Sequence, residues 1–159
     1  MSQGIHLDRG AGTAYWLLTS LFTFKLTGAE TNGALSIAEL DADPAMGPPP
    51  HIHREADECF FVLEGVFDFS LNGRPFSAGA GAFVHLPRGI VHTHSAGGGR
   101  PARALVIQSP AGVEKFIAEA GSVATDRSRR PAPPEAAALG RIVAIAAQHG
   151  IDVPPAPVS

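Results

Sequence analysis

The 159-residue sequence predicts an all-β sandwich or barrel with short helices towards its carboxyl end. Segments rich in β-branched and aromatic residues recur at about 8–12-residue spacing, with turn residues between them. The 18 glycines and 14 prolines require many turns, which suit many short strands better than a few long helices. After residue 109, the apolar period changes from two residues to the roughly 3.6 residues of a helix.

Composition and charge restrict the class of protein. Apolar residues make up 45% and charged residues 17% of the chain, as in a folded domain that needs no disulfides. The net charge of −3 offers no basic field, so we expect no nucleic-acid partner and no binding to an anionic membrane. Cys59 is the single cysteine, which agrees with a reducing compartment. No run reaches the roughly 18 apolar residues of a membrane span, so we predict a soluble, cytoplasmic protein.

We interpret the chain as one domain with four parts. These are an amino-terminal arm with strands (1–32), a barrel core (33–110), helices that pack on the barrel (111–153) and a disordered tail (154–159). Strands are predicted at 15–19, 22–27, 34–40, 51–53, 58–63, 66–71, 83–86, 91–95 and 104–108.

The carboxyl-terminal part reads as two helices joined by a linker. The first helix has Ser109 as its N-cap and Pro110 as its first residue and ends at Gly121, and the second covers 135–149. The arginine-containing linker, 122–134, is expected to be solvated. An Asn-Gly pair in the segment 28–33 predicts a turn between two amino-terminal strands.

The chemistry-bearing side chains are concentrated in two segments. His51 and His53 lie two residues apart, so on an extended strand their imidazoles point to the same side. Glu58 follows a polar turn and begins the next strand, where it can lie beside the two histidines. His92 follows a Pro-x-Gly turn at 87–89 that can aim the next strand inward. A metal ion would bond the nitrogens of clustered imidazoles that are costly to bury alone.

The two segments resemble the two motifs of the cupin superfamily. The first match runs from Gly47 to Glu58 and, after six more residues, includes Gly65. The second match is the segment 81–92. The resemblance implies a cupin double-stranded β-helix (jelly-roll barrel) and a metal bound by His51, His53, Glu58 and His92. The whole chain is similar to single-domain cupins described as quercetin 2,3-dioxygenase-like. It departs from the second motif at Ala96, where the family usually has asparagine.

Three imidazoles and one carboxylate define the kind of metal. They suit one divalent transition metal ion (Fe, Mn, Ni, Co, Cu or Zn) and do not suit calcium or magnesium. Open coordination positions would remain for water, dioxygen or substrate. The alternative is a metal-free relative that retained the four residues.

A tentative substrate pocket adjoins these ligands. On strand parity His94 shares the face of His92, where it would hydrogen-bond substrate or support a metal ligand, although a strand-end position facing water is equally compatible. Four apolar side chains are either barrel core or the lining of an apolar pocket: Phe60, Val62, Phe67 and Phe69. His6 and His149 are expected at the surface, and the side of His85 is left open.

The opposite face of the strand 58–63 is also apolar, with Cys59, Phe61 and Leu63. A strand that is apolar on both faces needs cover on both. The amino-terminal strands, a carboxyl-terminal helix or a second subunit could provide it, and we predict a homodimer. A catalytic role for Cys59 is not expected, because no histidine is expected on that face.

Three functions compete on these observations. The first is a dioxygenase acting on a small aromatic or enol-type substrate, in which the resemblance implies that Glu58 is also the catalytic proton acceptor. The second is a non-redox metal-dependent isomerase, lyase or hydrolase. The third is a non-catalytic cupin that binds a small molecule, because a fold alone does not fix a function.

Overall fold

The computed structural model describes residues 4–155. Residues 1–3 of the predicted arm and residues 156–159 of the predicted disordered tail lie outside the described residues. The described chain forms twelve strands and three helices. The strands are β1 (Thr13–Leu17), β2 (Ser20–Leu26), β3 (Ser36–Ala42), β4 (Ile52–His53), β5 (Asp57–Glu64), β6 (Val66–Leu71), β7 (Arg74–Gly79), β8 (Phe83–Leu86), β9 (His92–Ala96), β10 (Ala102–Ser109), β11 (Ser122–Val123) and β12 (Ile151–Asp152). The helices are α1 (Gly28–Thr31), α2 (Val113–Ala120) and α3 (Ala136–Gln148).

The strands pair antiparallel in three groups. A seven-stranded sheet has the order β11-β1-β2-β3-β10-β5-β8, a three-stranded sheet has the order β7-β6-β9, and β12 pairs with β4. One apolar core cluster contains Phe60 and Val106 from the larger sheet together with Phe67 and Phe69 from the smaller one. The prediction of an all-β jelly roll with short carboxyl-terminal helices is confirmed.

Alternation along β5 and β6 builds the interior. Glu58, Phe60 and Val62 are buried on one face of β5, and Phe67 and Phe69 are buried on one face of β6. The next strand, β7, was missed because Pro75 and Gly79 interrupt its sequence pattern. Pro75 is tolerated in β7 because this strand lies at the edge of the smaller sheet, where a proline does not interrupt the hydrogen bonds to a further strand.

The carboxyl-terminal helices lie against the open side of the larger sheet. Phe116 and Ile117 of α2 pack in one cluster with Leu17 and Phe24 of the amino-terminal strands. After α3 the chain returns to pair β12 with β4, placing Ile151 opposite His53. None of the helices among residues 4–155 is both long enough and apolar enough to cross a membrane.

The turn predicted at Asn32-Gly33 is present, and it follows the short helix α1, which begins with a capping box formed by Thr27 and Glu30.

Two local expectations are wrong. Helix α2 begins at Val113 after an N-cap at Gly112, and not at Ser109-Pro110, because Ser109 is the last residue of β10. The linker is not simply solvated: β11 pairs with β1, and Arg130 lies 3.0 Å from Asp43 and over the ring of Trp16. The linker is therefore held against the amino-terminal hairpin.

Candidate metal centre

The structure brings the four predicted ligands together inside the barrel. His51 and His53 come from the segment of β4, Glu58 from the start of β5, and His92 from the start of β9. The backbones of His51 and His92 exchange two hydrogen bonds of 2.9 Å, so their side chains leave neighbouring strands on the same side. All four side chains are buried.

The ligating atoms are close enough for one ion. One candidate atom from each residue lies within 4.8 Å of the others. Nε2 of His92 is 3.4 Å and Nε2 of His53 is 3.9 Å from Oε2 of Glu58. Oε2 of Glu58 and Nε2 of His92 are both buried without a hydrogen-bond partner. Buried polar atoms normally have a partner, and a bound transition metal would satisfy both of these.

Backbone carbonyls orient two of the imidazoles. Nδ1 of His51 donates to the carbonyl oxygen of Pro49, and Nδ1 of His92 donates to that of Ile90, both at 2.9 Å. A carbonyl oxygen can only accept, so Nδ1 carries the hydrogen in both rings. The lone pair of Nε2 is then free to face the metal, which is the usual arrangement around metal-ligating histidines.

Electrostatics favour the metal-binding protonation states of His51, His53 and Glu58. The exception is His92: burial acts to lower its pKa, but the contact with Glu58 outweighs burial and raises the pKa. Burial lowers the pKa of His51 to about 3, so its imidazole is neutral at neutral pH. Burial alone would raise the pKa of Glu58, but attraction by His53 and the other imidazoles outweighs it and holds the pKa well below its ordinary value. Neutral imidazoles and an ionised carboxylate are the forms that coordinate a metal.

Gln108 is a site residue that sequence reasoning missed. It is fully buried on β10, opposite Glu58 in the register of β10 and β5, and its Nε2 donates to Oε1 of Glu58 at 3.0 Å. Because Oε1 accepts this hydrogen bond, the other carboxylate oxygen, Oε2, faces the histidines. The signal was present in the sequence: Gln108 follows Ala104 and Val106 at period two, which places a polar side chain on the inward face.

An apolar cavity of about 350 Å³ opens in front of the metal group. Three ligands line it, and apolar side chains from the barrel, the amino-terminal hairpin and both larger helices complete it. Its lining residues are Leu17, Leu18, Ser20, Phe22, Met46, Gly47, Pro48, Pro49, His51, His53, Glu58, Phe60, His94, Val106, Val113, Phe116, Ile117, Leu139, Ile142, Val143, Ala146, Ile151 and Val153.

The tentative substrate pocket is only partly where the sequence placed it. Phe60 and His94 line the cavity, whereas Val62, Phe67 and Phe69 do not and belong to the core cluster. Phe67 and Phe69 pack on Phe60 with ring centroids 5.9 and 5.2 Å apart, so they fill the barrel behind it.

Of the two positions expected for His94, the structure shows the inward one. It is buried beside Phe60, with ring centroids 4.8 Å apart, and its Nδ1 has no hydrogen-bond partner. Burial lowers its pKa to about 4, so the imidazole is neutral at neutral pH. His6 and His85 are exposed, and the partly buried His149 bonds Glu119 at 2.7 Å.

One expectation about Cys59 is wrong. A histidine does lie on its face of the sheet, because His85 of β8 is its direct cross-strand neighbour. Burial raises the pKa of the Cys59 thiol, with the charge of Asp57 acting in the same direction. The thiol is therefore not activated as a nucleophile, despite the neighbouring imidazole.

The architecture is thus that of a small jelly-roll barrel with a three-histidine, one-glutamate centre in its interior. The sequence matches the family of cupin domains over residues 39–108. This match covers β3 to β10 and includes all four candidate ligands.

Individual relatives agree at the level of the domain. Quercetin 2,3-dioxygenase of Bacillus subtilis is 25% identical over 88 residues, 55% of this chain and 26% of that protein. Germin-like protein 5-1 of Oryza sativa subsp. japonica is 36% identical over 88 residues, 51% of this chain and 38% of that protein. The chain therefore spans about a quarter to two fifths of these curated relatives.

Solved structures share the fold. The polyketide cyclase RemF from Streptomyces resistomycificus has a TM-score of 0.60 at 23% identity, covering 67% of this chain and 80% of that one. The Cnp3 cupin domain of Schizosaccharomyces pombe has a TM-score of 0.55 at 12% identity, covering 67% and 73%. Both likenesses support the barrel architecture.

Removing one ligand tests the metal centre. Protein purified without a histidine tag should carry about one equivalent of a transition metal, and His92→Ala should lose most of it because one of four ligands is missing. Elemental mass spectrometry measures the content, and the exposed His85→Ala is the matched control that should keep the metal. A wild-type protein without metal, even after reloading, would contradict the assignment.

Removing the Gln108 hydrogen bond tests the positioning of Glu58. Gln108→Leu keeps the bulk but leaves Oε1 of Glu58 without its donor, so metal affinity should fall about 10–100-fold. The free energy of unfolding of the metal-free protein should fall by about 1–3 kcal/mol. Metal titration and denaturant unfolding measure the two effects. The control is Ser36→Ala, a buried polar change opposite Gln108 on β3, which should leave the metal affinity unchanged. Equal losses of metal affinity in both variants would refute the role of Gln108 in positioning Glu58.

Proposed function

We propose that this chain is a metal-dependent dioxygenase acting on a small aromatic or enol-type substrate, in the manner of quercetinase-like cupins. One observation carries the proposal: His51, His53 and Glu58 form part of the wall of an apolar cavity. A ligand in that cavity can therefore reach the metal group directly. The volume of about 350 Å³ lies at the lower end of the range for small-molecule sites.

A bound transition metal would supply Lewis-acid polarisation and a template for substrate and dioxygen. Glu58 is the candidate proton acceptor. Because its pKa is low, it is ionised but only a weak base, so it can take a proton only from an acidic group. Enol and phenol hydroxyls acidified beside a metal meet that condition. This chemistry supports an enol or aromatic hydroxyl substrate over an aliphatic alcohol.

The similarity to the quercetin 2,3-dioxygenase of Bacillus subtilis supports a redox reaction but extends over only 26% of that protein. The same ligands would serve a non-redox isomerase or lyase if the resident metal were zinc, because zinc offers the Lewis acidity alone. A cupin that binds a small molecule without turnover is the remaining alternative.

Oxygen uptake distinguishes the three functions. The metal-loaded protein should consume dioxygen with at least one of quercetin, catechol and acetylacetone, and Glu58→Gln should lose that turnover while retaining part of its metal. Glu64→Gln, an exposed change on the same strand, should behave as wild type. Turnover without oxygen uptake would favour the non-redox enzyme, and unchanged turnover in Glu58→Gln would refute its role as the proton acceptor.

We also propose that the chain forms a homodimer through the outer face of β5 and β8. Phe61 and Phe83 are cross-strand neighbours there and remain 40% and 61% exposed. Within the part of the chain that the structure describes, this face is left open at the edge of the larger sheet, and an apolar surface of this kind favours association.

Light scattering after size exclusion tests the dimer. The wild type should elute at twice the chain mass of 16.5 kDa, and Phe83→Lys should shift it to monomer because a charge would be buried at the contact. Val123→Lys, at an equally exposed apolar position on β11, should remain dimeric. A wild type that is monomeric at every concentration would contradict the proposal.

A further inference from the structure

We propose that the cavity in front of the metal group binds an uncharged ligand with an apolar body and one polar end. We further propose that α3 and the β1–β2 hairpin, which lie outside the matched cupin domain, determine which ligand fits. The inference rests on the proposed function and narrows its substrate class.

Outside the metal group and His94, the wall of the cavity is mostly apolar. Leu17 and Phe22 come from the β1–β2 hairpin, and Val106 comes from the barrel. Phe116 comes from α2 and Ile142 from α3. No arginine or lysine occurs among the described residues that line it, and the one acidic side chain is a candidate metal ligand. Outside the metal group, Ser20 and His94 are the only polar side chains that residues 4–155 contribute to the lining.

This lining disfavours phosphorylated and polyhydroxylated ligands. A phosphate or carboxylate beyond the reach of the metal would be buried without a cationic partner, which is strongly unfavourable. The hydroxyls of a sugar would lose water without gaining enough hydrogen-bond partners. An aromatic or other apolar body would instead bury its surface against the wall.

The polar end of the ligand belongs at His94 and the metal group. His94 is only 9% exposed, and its ring centroid lies 6.5 Å from that of His51. Nδ1 of His94 has no hydrogen-bond partner, and a ligand oxygen or nitrogen would supply one. One end of the cavity wall therefore offers polar contacts, and these fix the orientation of a ligand that has a single polar end.

Helix α3 presents an apolar stripe to the same cavity. Leu139, Ile142, Val143 and Ala146 follow the spacing of one helical face, and all four line the cavity. Only Ala146 is fully buried, so the other three keep apolar surface that a ligand would cover. Since the cupin domain match ends at residue 108, relatives matched through the barrel need not share this wall.

A neutral fluorescent probe tests the inference. N-phenyl-1-naphthylamine should bind one per chain in metal-loaded and metal-stripped protein, and 2-naphthol should displace it while glucose 6-phosphate should not. Ile142→Glu should weaken probe binding about tenfold or more, because a charge would face the apolar cavity. Ala144→Glu, on the exposed side of the same helix, should bind as wild type.

Three controls separate the possible failures. Circular dichroism and metal content should be unchanged in Ile142→Glu, and the neutral Ile142→Ser should weaken binding if the glutamate variant does not fold. Unchanged probe affinity in folded variants, or displacement by glucose 6-phosphate, would overturn the inference. Neither result affects metal content or oxygen uptake, so the proposed function would stand. Loss of those two with intact probe binding would count against the proposed function alone.

Discussion

Burial of an ionised carboxylate inside an apolar barrel is the constraint on which the rest of this structure depends. Glu58 is removed from water, so its charge must be met by neighbouring groups. The Gln108 amide meets it at Oε1, and a metal ion held by the histidines would meet it at Oε2. The imidazoles in turn are held by backbone carbonyls of the irregular segments before β4 and β9. The loops that end in these carbonyls are therefore part of the site, although none of their side chains need touch a metal.

The barrel and its additions have separate tasks. The matched domain carries the reactive groups, and the antiparallel register of its strands determines which of these residues face each other. The amino-terminal hairpin and the carboxyl-terminal helices supply the apolar wall, which determines what can approach. Changes in the helices can then alter the ligand without altering the ligating atoms. This division explains why one centre of this type serves many chemistries, and why a barrel-level match leaves the substrate open.

Local pattern, together with the resemblance to the two cupin motifs, predicted the residues of the centre but not its surroundings. The pair His51 and His53, two residues apart on an extended segment, and the alternation of β6 are short-range signals, and the structure contains both. Gln108 was overlooked because its importance arises only from the strand it faces, fifty residues away in the chain. The cavity wall was misassigned for the same reason: Val62 and Ile142 are both apolar, and only the tertiary packing shows that the second lines the cavity. Contacts between distant segments are what a single sequence encodes least directly.

The pairing of β4 with β12 has a consequence for biogenesis. The strand that carries His53 pairs with residues near the end of the described chain, which a ribosome adds late. The same contact includes the hydrogen bond from Arg54 to Asp152, two residues that are 98 positions apart. An emerging chain can form both sheets of the barrel before this clasp exists, because neither sheet includes β12. His53 therefore reaches its final setting only after α3 has been synthesised. A metal ion bound here would meet the finished geometry of all four ligands only after β4 and β12 have paired.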